Sequence, residues 1–224
     1  MSVHLTEEEQ LQALKRWWKD YGKTVVVAVI VAVAGYFGFT SWQQHKLEQA
    51  QATSELYNQL MRSTVPSGGM ILSDSEKTTA RTLAGQLKEK KSSSLYAHNA
   101  ALLLARLAVE EGELDQAVTE LRWVLQNKPD ITTEQVTRLR LARLLIAKQD
   151  YTEVESLLAN PVNAFKSDYA EVRGDLARAR GDLAAAKNAY EEALTGVDPQ
   201  VQERRILLQY KLDDLATNQQ ESAQ

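Results

Sequence analysis

The sequence has no cysteine, only three histidines, and few of the residues that break helices, with four prolines and ten glycines. Without cysteine there is no disulfide framework, no thiol nucleophile and no cysteine-bearing metal site. His4, His45 and His98 lie far apart, and none has a sequence-local partner that would complete a ligand set, so no metal is expected. The G-x-S-x-G, H-E-x-x-H, P-loop and dinucleotide-binding patterns are also missing. Glu-rich runs such as EEGELD, residues 110–115, read as solvated helix ends and a turn. The chain therefore does not read as an enzyme, and neither a catalytic residue nor a cofactor is nominated. A basic stripe is lacking too, and with a net charge of −4 nucleic acid is not an expected partner.

Against this background one stretch stands out. Residues 24–42, TVVVAVIVAVAGYFGFTSW, carry no charge in a chain that is 25% charged. As a helix rising about 1.5 Å per residue they span roughly 28 Å, close to the hydrocarbon thickness of a bilayer. A core helix would show a polar stripe, whereas here polar residues stand only at the two ends. A cleaved signal peptide would be shorter in its apolar part and would end in small residues. This one is preceded by 23 residues and exits through Tyr36, Phe37, Phe39 and Trp42. It is read as an uncleaved signal-anchor with an aromatic belt in contact with membrane lipid. Lys15, Arg16, Lys19 and Lys23 precede the span, and only Lys46 follows closely. The positive-inside rule then puts the N-terminus in the cytoplasm and, in a bacterial inner membrane, the remainder in the periplasm.

The expected organisation is a cytoplasmic segment at 1–23, a transmembrane helix at 24–42, a periplasmic domain at 43–217 and a disordered tail at 218–224. Thr6 with Glu9 offers a capping box, and Leu11, Leu14, Trp18 and Tyr21 recur at helical spacing. That segment reads either as a short interfacial helix or as an aromatic anchor for the start of the span. The membrane-edge residues are Lys15, Arg16, Trp17, Trp18, Lys23 and Trp42. Ala28, Ala32 and Gly35 share a face on which another transmembrane helix could approach, although alanine is common in any anchor.

The exported part repeats itself. ALLLARLAVEEGELDQAVTELRWVLQNKP and YAEVRGDLARARGDLAAAKNAYEEAL both read helix, Gly-acidic-Leu turn, helix. Ala117 and Ala186 stand five residues after the turn glycine, and Leu121 and Tyr190 four further. A middle copy keeps the phase with Gln149, Asp150 and Tyr151, then Val154 and Leu158. Seven residues before each turn residue is a small one, Ala105, Ala142 or Gly174. Small residues let paired helices approach closely, and the bulky residue fills the resulting groove. The middle copy has Gln149 and Val154 in place of glycine and alanine, so its pair is expected to be splayed. A weaker unit precedes, with helices near 48–62 and 74–91; Ser73 with Glu76, and Thr132 with Gln135, offer capping boxes. Residues 201–216 read as a solvating end helix bearing Ile206, Leu207, Tyr210 and Leu215 among charges.

This pattern resembles tetratricopeptide repeats. The fold class is all-α: a single N-terminal transmembrane helix followed by a tetratricopeptide-like right-handed α-solenoid. In that pattern the first helix of each pair lines the concave side. The residues facing it would be Asn99, Leu102, Arg106 and Val109, then Leu139, Arg143 and Ile146, then Glu171, Asp175 and Arg178. Two readings stand side by side: a partner-binding groove, or ordinary core leucines and isoleucine with solvated arginines.

The start, EQLQALKRWWKDYGK, leads straight into the anchor and then into degenerate repeats. With Lys15-Arg16, Trp17-Trp18 and Gly22-Lys23 at the membrane edge, the chain resembles the YfgM family of ancillary SecYEG translocon subunits. The resemblance implies association with the SecYEG translocon and with a PpiD-like periplasmic chaperone, and a role in passing exported client proteins to folding factors. Two alternatives belong to other classes: a holdase-like chaperone that binds unfolded clients directly, and a scaffold for another cell-envelope assembly.

Overall fold

The computed structural model describes residues 7–66 and 72–221, all of whose regular elements are helical. The chain divides into two compact units, Met1–Ala52 and Thr53–Gln224. Thr6, and with it the expected first capping box, lies outside the described residues, as do residues 67–71.

The first unit is helical from Glu7 onward and belongs to α1 (Glu7–Ser63). The interfacial segment, the span and the helix expected near 48–62 are thus one uninterrupted helix. Among the described residues it alone is long and apolar enough to cross a membrane. Its apolar side chains, Val26 through Phe39, are exposed rather than packed on protein. A helix satisfies its own backbone hydrogen bonds, which lipid cannot do for it. Aromatics gather at both ends: Trp17 lies against Trp18 and Tyr21, and Phe39 against Trp42, whose ring Lys46 covers at 3.8 Å.

The second unit takes the last turns of α1 and adds α2 (Asp74–Lys90), α3 (Leu95–Glu110), α4 (Leu114–Gln126), α5 (Ile131–Ala147), α6 (Val154–Leu157), α7 (Lys166–Ala179), α8 (Leu183–Gly196) and α9 (Gln202–Glu221). A 3-10 turn (Asn163–Phe165) leads into α7. Helices pack mainly on their neighbours in the chain, and α5 also touches α7. α9 continues past the expected end at Ala216; residues 222–224 lie outside the described set.

Each first helix ends in the same way. Gly112, Gln149 and Gly181 adopt φ of 78°, 60° and 81°. In all three turns the following N–H returns to a carbonyl five residues back: Glu113 to Ala108, Asp150 to Leu145, Asp182 to Ala177. The left-handed residue itself donates to the carbonyl three back. This double bond satisfies the carbonyls that a helix end would otherwise leave orphaned. The repeat phase legible in the sequence is therefore a repeat of backbone geometry, and Gln149 adopts it without being glycine.

Caps set the starts. Ser73 and Glu76 form the expected capping box on α2. For α5 the expected Thr132–Gln135 box is replaced by Asp130, whose carboxylate accepts from the Thr132 and Thr133 N–H groups. An ionised carboxylate two residues earlier accepts strongly from the first free N–H groups, so the helix starts there and Thr132 becomes part of it. Gln135 is instead buried and accepts from the Val162 N–H at 3.2 Å.

Three apolar clusters fill the second unit. Leu60, Ala80, Ala84, Leu87, Leu104 and Leu107 join α1, α2 and α3. The central one spans α3 to α7, with Leu121, Leu141, Leu145, Val154 and Tyr169 among its members. Tyr190, Ala193, Leu208 and Leu215 join α8 to α9. Each leucine buried in this way contributes roughly 1.5–3 kcal/mol. The middle pair is degenerate: its second helix, α6, has four residues.

Candidate partner-binding face

The first helices α3, α5 and α7 bear the ten residues singled out in the sequence. Arg106, Val109, Arg143 and Arg178 are exposed, and Asn99, Leu102, Ile146 and Asp175 are half-buried. Leu139 is 4% exposed, inside the central cluster, and Glu171 is 5% exposed. Neither offers a side chain to a partner, because the neighbouring helices close over both. The accessible surface of this set comes from the other eight.

Its two ends differ in chemistry. Toward the N-terminal side, Tyr57 at the end of α1 stacks on Tyr96 of α3 with centroids 4.9 Å apart, and Asn99 donates to the Tyr57 hydroxyl at 3.4 Å. Among the described residues Arg106 pairs only with Glu110 of its own helix, one turn on, at 2.7 Å. Toward the C-terminal side the face is closed by charge. Glu171 receives Lys211 at 2.8 Å, Arg204 at 3.3 Å and Arg143 at 3.8 Å. Lys211 also reaches Asp175 at 2.6 Å, Arg204 reaches Asp168, and Arg178 pairs with Asp214. Acids on α7 thus meet cations on α9, and Arg143 extends the network to α5. Tyr190 lies beneath and donates to Asp175 at 2.8 Å; burial, with the Asp175 charge added, pushes its hydroxyl pKa well above the usual tyrosine range.

Sequence reasoning missed Tyr57, Tyr96, Arg204 and Lys211. The last two had a usable signal. Residues 204, 211 and 214 lie seven and three apart, one stripe of a helix that continues the row of first helices, opposite the acid-bearing stripe 168, 171, 175. The tyrosine pair had none, because its members belong to different repeats.

The histidine at the start of α3 is structural. His98 is buried, with Nε2 3.1 Å from the Asn127 carbonyl and its ring edge-on to Trp123, so it ties α3 to the end of α4. Among the described residues no group of three or more His, Cys, Asp or Glu side chains is placed to hold a metal ion. Two shallow concavities lie around Arg180 and Glu155 near α6.

A family model described as a tetratricopeptide repeat-like domain matches residues 15–217. The ancillary SecYEG translocon subunit of Haemophilus influenzae is 31% identical over 195 residues, covering 86% of this chain and 91% of that one. This chain belongs to that family of translocon subunits. Other members are similar over nearly the whole length. The ancillary SecYEG translocon subunit of Neisseria gonorrhoeae is 28% identical and that of Escherichia coli 26%, each match covering 96% of this chain and 100% of the relative. No solved structure matches the chain. The family match begins at Lys15 and so includes the apolar helix, which makes the anchor part of the family's shared plan.

Proposed function

We propose that this protein is a single-pass adaptor of the bacterial inner membrane, with its N-terminus in the cytoplasm and its repeat unit in the periplasm. There it associates with the SecYEG translocon and links exported proteins to a membrane-anchored, PpiD-like chaperone through protein–protein contacts alone. The observation that carries this reading is the uncharged, solvent-facing span of α1, flanked by four basic residues on one side and one on the other, in a chain related throughout to ancillary SecYEG translocon subunits.

Tethering gives the arrangement its mechanism. A domain held beside a channel meets emerging chains at an effective concentration of about a millimolar, so weak and rapidly reversible contacts suffice. The first-helix face suits such contacts: Tyr57, Leu102, Val109 and Ile146 present apolar surface, with Arg106 and Arg143 beside them.

The test is co-purification of the full chain from native membranes in mild detergent. SecYEG and a periplasmic chaperone are expected in the eluate, and an Arg106→Glu, Val109→Asp double variant is expected to lose the chaperone while keeping its helical circular dichroism. Recovery of a cell-wall synthesis assembly in place of the translocon would overturn the reading. Suppression of client aggregation by the chain without other proteins would favour direct holdase action instead.

A further inference from the structure

α9 is more than an end cap. Expected to present a solvating surface, it instead has apolar residues on two opposite sides. Leu208 and Leu215 are buried against α8. Ile206, Leu207 and Tyr210 are 53%, 49% and 68% exposed. Positions 206, 207 and 210 fall on one face, with Glu203 one turn before and Asp213 one turn after.

The charges of α9 are segregated. Its three cations turn inward: Arg204 and Lys211 engage the carboxylates of α7, and Arg205 reaches the Leu194 carbonyl. The outward face keeps acids of α9 around its apolar centre, and of these Asp214 is already paired with Arg178 of α7 at the edge of the face. Neither Glu203 nor Asp213 forms an ion pair among the described residues, and the Asp213 carboxylate accepts only from Gln209 of its own helix, at 3.0 Å. A second copy meeting this face with its own would set acid against acid, and an anionic membrane surface would be repelled likewise.

Position in the row supplies the shape of the occupant. The earlier first helices α3, α5 and α7 are each packed by the helix that follows, α4, α6 and α8. α9 is the next first helix, and among the described residues none follows it. Its outward ridge of one isoleucine, one leucine and one tyrosine matches the groove of a single helix, and its backbone is already hydrogen-bonded and offers nothing to a strand.

We propose that the outward face of α9 docks an amphipathic helix of a partner protein whose apolar stripe is flanked by lysine or arginine. The partner helix packs on Ile206, Leu207 and Tyr210 and pairs with Glu203 and Asp213, completing the stack as the next second helix would. This surface is separate from the face assigned above to emerging chains and the chaperone, and either proposal can fail without the other.

The test uses the full chain in phosphatidylcholine nanodiscs and two designed helices of about 15 residues, one leucine and lysine at helical spacing, the other leucine and glutamate. Binding is read by fluorescence anisotropy, with empty nanodiscs subtracted. The lysine peptide is expected to bind at least tenfold more tightly than the glutamate peptide. A Glu203→Lys, Asp213→Lys variant is expected to reverse that preference, and Ile206→Ser with Tyr210→Ser to weaken both. Equal affinity for the two peptides on the unaltered chain would overturn the proposal, as would lysine-peptide binding that the charge reversal leaves unchanged. Sedimentation showing a dimer abolished by Ile206→Ser with Tyr210→Ser would also overturn it, in favour of self-association.

Discussion

A hydrogen atom is all that fits at position 174. A Cβ built there would lie 2.4 Å from Cδ1 and Cε1 of Tyr190, which is fully buried and hydrogen-bonded through its hydroxyl to Asp175. The ring cannot retreat without breaking that bond, so Gly174→Ala is expected to destabilise the protein by about 2 kcal/mol, measured by urea unfolding. This contact was legible in the sequence, since a small residue and a bulky one recur at fixed distances from each turn. Tyr169 was not legible, because its setting depends on which neighbours from other repeats surround it. It is fully buried, and its hydroxyl has no hydrogen-bond partner among the described residues. Removing an unsatisfied hydroxyl while keeping the ring relieves a desolvation cost, so Tyr169→Phe is expected to stabilise the fold by about 1 kcal/mol. Burial raises the pKa of both Tyr169 and Tyr190. The stability this represents is present below about pH 10, the ordinary tyrosine value, and is lost as pH rises above it, because only the unfolded chain then ionises readily. Urea titrations across that range are expected to show falling stability in the natural chain and a shallower fall in Tyr169→Phe.

Elements begin and end where local chemistry dictates, and most of that was legible. Gly112 and Gly181 mark left-handed turns because only glycine takes positive φ without a steric penalty, and Gln149 was placed by phase alone. Since Gln149 makes the same two backbone bonds as the glycines, Gln149→Gly is expected to stabilise the protein by about 0.5–1 kcal/mol, raising the urea midpoint without changing the slope. The brevity of α6 was less evident. Asn160 takes positive φ and Pro161 follows, a combination that ends a helix. Val154 is nevertheless fully buried in the central cluster, and the 3-10 turn then carries the chain to α7. Links between elements were the least legible. Lys211 holds two acids of α7, one of them nearly inaccessible, from 36 and 40 residues away. Lys211→Met is expected to cost about 2 kcal/mol, because it leaves the buried Glu171 and the half-buried Asp175 with one cation fewer, and Lys211→Arg to recover part of that loss.

For the whole molecule, composition settled the large division early: an uncharged run with no polar stripe and long enough to cross a bilayer, then a polar helical array. What composition could not reveal is that residues on both sides of the run share one helix with it, since aromatic, alanine-rich and glutamine-rich stretches all permit helix and differ only in what surrounds them. Orientation rests on charge asymmetry. Replacing Lys15, Arg16, Lys19 and Lys23 with glutamine while placing four lysines after Trp42 is expected to invert the chain, read as a C-terminal tag that becomes insensitive to protease added to spheroplasts. The three left-handed turns have a consequence for how such a chain matures. Each reversal is specified by six consecutive residues, and the helices it joins find their main contacts with near neighbours in the chain. Every hairpin can therefore close as soon as its own segment is available, without waiting for distant partners, and loop-closure entropy is small at each step. A polypeptide delivered through a pore in one direction can fold in that same order, keeping little unfolded length exposed at any moment.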